Sequence, residues 1–282
     1  MATLDELRDS VVHVLTGMTP TIDSARKRTW NPRIDGVLPI VQRAVLVRQY
    51  ECLDTILYLE KNLRGYAGVV LLRPAVEELI WCKYLDTIDG VLANTLVLLI
   101  SQIEVEDSLK AQDGYLGRTA TKKLGLLTYL ERSTRIKARI RNDLKVVGHK
   151  LGWDRKNTEA GTLPSLAFLA KRTGLKREYD YLYHATSRFA HFSAAELLRR
   201  AWGNREGVSI TSEHFRTYWS SFALFWGFWV FTQTYLVLQP HLEKDGVIDP
   251  DVDGNSIIQA YQRVADFGYV PIITADELKS GF

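Results

Sequence analysis

Tyr179-Asp-Tyr-Leu-Tyr-His-Ala-Thr-Ser-Arg-Phe-Ala-His-Phe-Ser193 carries a strongly patterned run of polar and aromatic residues. Asp180, His184, Ser187 and His191 are spaced by four, three and four residues. At about 3.6 residues per turn this places them in one stripe on a single helical face. Tyr179, Tyr183, Phe189 and Phe192 flank the stripe, so the helix does not have a simple wet side. The pattern predicts a helix that runs on to Arg200 and turns hydrogen-bonding groups toward a partner.

Outward from this stretch, helical periodicity recurs along the chain. Leu4, Leu7, Val11, Val14 and Leu15 predict a short amphipathic helix over 4–15. The stretch 18–36, with Pro20, Pro32 and the basic residues Arg26, Lys27, Arg28 and Arg33, reads as a solvated connector. A long helix is expected over 37–63, with Pro39 in its first turn and Gly65 ending it. A second follows over 66–88, where Pro74 forces a kink or marks a new start. A third, 91–110, gives way at Gly114 and Gly117. The stretch 119–150 is helical and increasingly basic, 153–164 is a loop, and 165–172 is a short helix. After a turn at Gly203–Gly207 and an extended piece at 208–210, an aromatic helix starts near Thr211 and closes at Pro240. A last helix lies over 257–267. Sustained period-two alternation is absent, and so are repeats. The expected fold is all-α, a multi-helix bundle of long antiparallel helices with one kinked, proline-containing helix. Its organisation is an N-terminal helix and basic connector (1–36), a bundle core (37–245) and a C-terminal tail (246–282).

Composition narrows the class. A hydrophobic content of 46% against 24% charged residues, in 282 residues, supports a sizeable core and argues against disorder. The net charge of +3 is compatible with a polyanionic partner without requiring one. Two cysteines, Cys52 and Cys82, exclude a disulfide framework or a cysteine-based zinc site. Residues 1–10 carry acids where a signal peptide has a basic and then an apolar run, so a cytoplasmic location is expected. The 22 residues 218–239 carry no charge and would span a bilayer by length. Ser220, Ser221, Thr232, Gln233 and Thr234 interrupt them, so the expectation is a central core helix without stable membrane insertion. Its aromatic run, Trp219 to Leu238, offers a homo-oligomer contact.

The second informative stretch is Leu72-Arg73-Pro-Ala-Val-Glu77-Glu-Leu-Ile-Trp-Cys-Lys-Tyr84-Leu85. Arg73 and Glu77 stand one helical turn apart inside an apolar segment, and a buried Arg requires a carboxylate partner. If this helix packs on the opening one, Arg73, Glu77, Ser187 and His191 share one site. His191 then carries a proton near neutral pH, Glu77 orients it or acts as base, and Arg73 grips a phosphate or an anionic intermediate. A buried network that pins helix register would use the same residue types.

Arg73-x-x-x-Glu77 followed by Tyr84-Leu85, and Tyr181-Leu182 followed by Ser187-x-x-x-His191, resemble the paired signatures of an uncharacterised all-helical family of bacteria and phages. The resemblance spans about residues 37–240. The fold it implies is similar to HEPN-type helical bundles, many of which are ribonucleases of toxin and phage-defence systems. Their motif is an Arg with four to six residues before a His. Arg188 has two residues before His191, and Arg141, in an Arg-Asn pair similar to the motif's start, has seven before His149.

Arg132, Arg135, Lys137, Arg139, Arg141, Lys145 and Lys150, against Glu131 and Asp143, form the most basic segment. Arg135, Arg139, Arg141 and Lys145 are its candidate nucleic-acid contacts, against the simpler reading of a solvated helix. Asp249-Pro-Asp251-Val-Asp253-Gly254 matches the first half of a calcium loop, but Ala260 stands where the bidentate Glu belongs. An acidic turn capping the next helix is the better reading. His184 and His191 lie about 10 Å apart along a helix, too far to share a zinc ion. Neither a His-Glu-x-x-His nor a glycine-rich phosphate loop is present, so no metal and no cofactor are expected. The functional expectation is an effector directed at RNA, DNA or a nucleotide in a defence-like setting, a ribonuclease-like hydrolase being the enzyme class in view. The alternative is a non-catalytic helical interaction protein, a dimeric scaffold or regulator, whose polar cluster is structural.

Overall fold

A computed structural model describes residues 3–27, 29, 31, 36–153, 158–159, 163–204, 207–248, 250–265 and 270–273. Helix α1 (Leu4–Lys27) is longer than its amphipathic start suggests. Met18, Thr21, Ile22 and Ala25 continue the buried face of Leu7, Val11, Val14 and Leu15 through Pro20, and this packing outweighs the one ladder bond the proline removes. Part of the expected connector is therefore helical. Arg28 and Arg33 lie outside the described residues.

Helix α2 (Leu38–Lys61) carries a proline in its first turn. It is ended by Leu63, whose φ of 61° is left-handed, and not by Gly65. Gly65 serves a different purpose. It opens the one-turn helix α3 (Gly65–Gly68), where a Cβ would meet the Ser220 backbone at 2.8 Å. A 3-10 turn, Val69–Leu71, then leads into α4 (Leu72–Asp86), so Pro74 sits in the first turn of a new helix. Helix α5 (Gly90–Leu116) is capped by Asp89, whose carboxylate accepts from the amides of Val91 and Leu92. It passes through Gly114 and stops at Gly117, φ 80°. The short α6 (Arg118–Lys123) precedes the basic helix α7 (Leu127–Lys150).

Two antiparallel pieces, β1 (Thr158–Glu159) and β2 (Leu163–Pro164), lie within the expected loop. They are followed by α8 (Leu166–Arg172) and α9 (Lys176–Ala190). The predicted run to Arg200 is broken. Helix α9 ends with extended backbone at His191, and Ser193 caps a new helix, α10 (Ala194–Leu198), by accepting from the Glu196 amide. A hairpin of β3 (Ala201–Asn204) and β4 (Gly207–Ile210) follows, with Ala201 opposite Ile210 and Asn204 opposite Gly207.

Helix α11 (Arg216–Lys244) is the axis of the core. Phe222, Phe228, Phe231 and Tyr235 are fully buried, and burial of each such ring contributes about 2 kcal/mol. It packs on α1, α2, α3 and α4 and against α12 (Pro250–Ala265). It continues past Pro240, with Leu242 buried and His241 bonded to Asp86 at 2.8 Å. Length and composition would let α11 cross a membrane, but 67% of its most apolar window is buried in the protein itself. Most of its aromatic side chains are thereby taken up by the chain's own core, while Leu236 is exposed. In α12, Ile257, Ala260 and Val264 pack inward, chiefly on α1. Asp251 and Asp253 belong to this helix and so cannot form the calcium loop that their spacing imitates; Asp249 lies outside the described residues. The described fold is all-α apart from the two small hairpins.

Candidate functional site

The two polar stretches meet where α4 packs on α9. Arg73, at the start of α4, is the hub. Its Nη1 donates to Ser187 Oγ at 3.2 Å and lies 3.3 Å from His191 Nε2, while its Nε donates to Glu77 Oε1 at 3.4 Å. The guanidinium stacks over the Tyr183 ring, 4.6 Å from its centroid. The structure thus brings together all four residues that the sequence paired. Arg73 and Glu77 keep 27% and 30% of their side-chain surface, so the cluster is open to solvent and not sealed in the core.

A guanidinium has donors and no acceptor. The His191 Nε2 facing it must therefore offer its lone pair, which leaves the ring proton on Nδ1. No hydrogen bond joins Glu77 to His191 among the described residues. The direct Glu–His pair expected from the sequence is replaced by two arms that both end on Arg73. The His191 side chain, just past the end of α9, meets the same guanidinium nitrogen as Ser187, so Arg73 stands between it and Glu77.

The rest of the stripe is local. Asp180 pairs with Lys176, and His184 bonds to Arg188 at 3.1 Å. Two Arg–His spacings that fit the ribonuclease motif numerically lie elsewhere, Arg177 before His184 and Arg8 before His13. Arg8 is held by Glu60 and Asp5, and Arg177 and His184 are exposed on α9. Tyr84, farther along α4, is buried and accepts from Trp153 Nε1 at 2.7 Å. Tyr183, placed by the sequence only as an aromatic flank of the stripe, is a member of the cluster. Its signal was its place four residues before Ser187, one turn away on the same face.

Neighbouring carboxylates on α4 face different ways. Glu78 turns from the cluster to accept from Arg48 at 2.9 Å and Gln49 at 2.8 Å, beside a cleft of about 230 Å³ that Cys52 and Leu71 also line. Burial pushes its pKa above the usual carboxylate range, against the pull of Arg48 and Gln49.

On α7 the four candidate basic contacts divide. Arg135 and Arg139 share an exposed side; Arg139 lies 3.8 Å from Asp143. Lys145 is exposed on another side, and Arg141 is half-buried with its Nε unpaired. Lys137 turns inward to Glu106 at 3.1 Å, and Lys110 also holds that carboxylate. Burial works against the Glu106 charge, but the two ammonium groups outweigh it and hold the pKa below the ordinary value. Arg135 lines a cleft of about 450 Å³ with Lys110, Arg118, Glu131 and Asp113. One Asp113 oxygen in this cleft is buried without a donor. Among the described residues no group of three or more His, Cys, Asp or Glu side chains is placed to hold a metal ion.

No curated protein and no solved structure matches the chain. A family model, described as a family of unknown function (DUF5677), matches residues 40–208. That span includes α4 and α9 and hence every residue of the Arg73 cluster. With more than half of its length matched, the chain belongs to the DUF5677 family of unknown function.

Proposed function

We propose that the protein acts on or senses a nucleic acid or nucleotide, gripping a phosphate with Arg73 and using His191 as the adjacent proton carrier. The observation that carries this reading is a solvent-reaching guanidinium, stacked on Tyr183, that already holds Ser187 and His191. Arg is suited to phosphate because its planar fork matches the oxygens. When Arg73 turns to a phosphate, the Nε2 lone pair of His191 is released. On RNA the available chemistry is attack of a 2′-hydroxyl on the neighbouring phosphorus. His191 takes that hydroxyl's proton, Arg73 offsets the charge on the phosphoryl oxygens, and the 5′-oxygen leaves with a proton from solvent. The exposed side of α7 shared by Arg135 and Arg139, with the Arg135 cleft, contacts a further part of a long polyanion, and Lys145 offers a contact on another side. Kinship with HEPN-type bundles and a defence- or toxin-like role belong to the same proposal.

A second reading is favoured by one observation, that the cluster converges on Arg73 alone. Such a hub also suits a pin that fixes α4 against α9 in a non-catalytic interaction protein. Incubating RNA and DNA with wild type, His191→Ala and Glu77→Ala separates the two. Binding or cleavage lost in His191→Ala, with helix content intact, supports the first. Unchanged behaviour toward nucleic acid, with a lowered melting temperature, supports the second.

A further inference from the structure

The segment Val270–Ile273 forms neither helix nor strand, so its backbone carbonyls must find partners elsewhere. Three successive ones are taken by side chains from three different places. Tyr181 of α9 donates to the Val270 carbonyl, Tyr218 of α11 to that of Pro271, and Arg199, which caps α10, to that of Ile272 at 2.5 Å. Side chains of the segment alternate: Val270 is in the core and Ile272 packs against it, while Pro271 and Ile273 are exposed.

The donors are themselves fixed. Tyr181 and Tyr218 pack on Phe222. Arg199 is buried, lies over the rings of Phe215 and Trp219, and is paired with the buried Glu196 at 3.4 Å. Burial pushes the Tyr181 hydroxyl up to about 12, so it remains a donor at any physiological pH. Side-chain donors aimed at consecutive carbonyls read a main chain and do not depend on the side-chain sequence, as in peptide capture.

We propose that Tyr181, Arg199 and Tyr218 form a docking surface for a peptide main chain, that its occupant is this chain's own segment Val270–Ile273, and that occupancy fixes the turn bearing His191. The last part follows from position. Tyr181 lies on the helix before His191 and Arg199 caps the helix after it, so one docked segment ties both sides of that turn. The surface exists whether or not the Arg73 cluster meets a phosphate.

Two measurements on the full chain test this. Val270→Asp with Ile272→Asp places charges in apolar seats and expels the segment. A fluorescent peptide of residues 268–275 should then bind saturably, and at least about tenfold more weakly both to wild type, whose surface is filled, and when Tyr181→Phe and Tyr218→Phe are added. No binding, or binding indifferent to the tyrosines, overturns the proposal.

The second measurement needs no expelled segment and decides the matter if the aspartate variant loses its helix content. A dye on Ile273→Cys is selective, because burial keeps Cys52 and Cys82 protonated. With Tyr181→Phe and Tyr218→Phe its anisotropy should fall, and amide exchange over 190–193 should quicken about tenfold or more. The His191 amide, bonded to the Ser187 carbonyl at 3.0 Å, is the reporter. Unchanged anisotropy and unchanged exchange overturn it.

Discussion

The Arg73 guanidinium donates to His191 Nε2 across 3.3 Å, linking the first turn of one helix to the residue just past the end of another. The same nitrogen reaches Ser187. A group that can only donate thus sets the tautomer of the histidine beside it, and three side chains become one unit.

The first prediction concerns that tautomer. In wild type, nitrogen-detected NMR of neutral His191 should show the proton on Nδ1. Arg73→Ala removes the donor and should return the ring toward the Nε2–H form usual in solution. A wild-type ring already protonated at Nε2 would contradict the geometry.

Glycine 65 gives a stability prediction. A methyl group there meets Ser220 backbone at 2.8 Å, with its hydroxyl nearer still, so α3 must move away from α11. Gly65→Ala should cost about 2 kcal/mol in urea unfolding, in the range for overpacked cores. An unchanged midpoint would mean that the two helices are not seated so closely.

The cysteines should be silent. Burial raises the Cys52 thiol to about 11 and the Cys82 thiol to about 12. At pH 8 the thiolate fraction of Cys52 should be roughly two-hundredfold below that of a free thiol. Ellman's reagent should therefore react with the folded protein very slowly and with both thiols on unfolding. Rapid reaction of either thiol in the folded state would contradict their placement.

Glu78 sets a pH dependence. Its folded pKa is raised, chiefly by burial, so the folded state holds this proton more tightly than the unfolded chain. Stability from this group is therefore present at low pH and is lost as pH rises from the ordinary carboxylate range through the folded pKa. Glu78→Gln should flatten the fall in melting temperature as pH rises above the ordinary carboxylate range, about pH 4. Parallel curves for the two proteins would speak against the shift.

Much of the fold was legible because helical period and apolar content agree along most of the chain. Arg73, Glu77, Ser187 and His191 could be paired from two local facts, a one-turn Arg–Glu spacing in an apolar helix and a polar stripe with the same period. What was not legible depended on tertiary contacts. Pro20 looked like a stop, yet Ile22 and Ala25 bury on the same face and carry α1 onward. The end of α9 at His191 required knowing that Ser193 caps a new helix and that Arg73 waits for the released side chain. Residues 270–273 carry no local sign of the three donors that hold them, since those donors come from residues 181, 199 and 218.

The most direct test of the central claim is the salt dependence of RNA and DNA binding by wild type and Arg73→Lys, followed by fluorescence anisotropy. Lysine keeps the charge but loses the fork and its stacking on Tyr183. Binding should weaken several-fold or more in Arg73→Lys with a similar salt slope, while Arg73→Ala should lower the slope by about one phosphate contact. Equal affinities and equal slopes for all three proteins, with folding intact, would contradict a phosphate-gripping Arg73 and leave the cluster as a pin between α4 and α9.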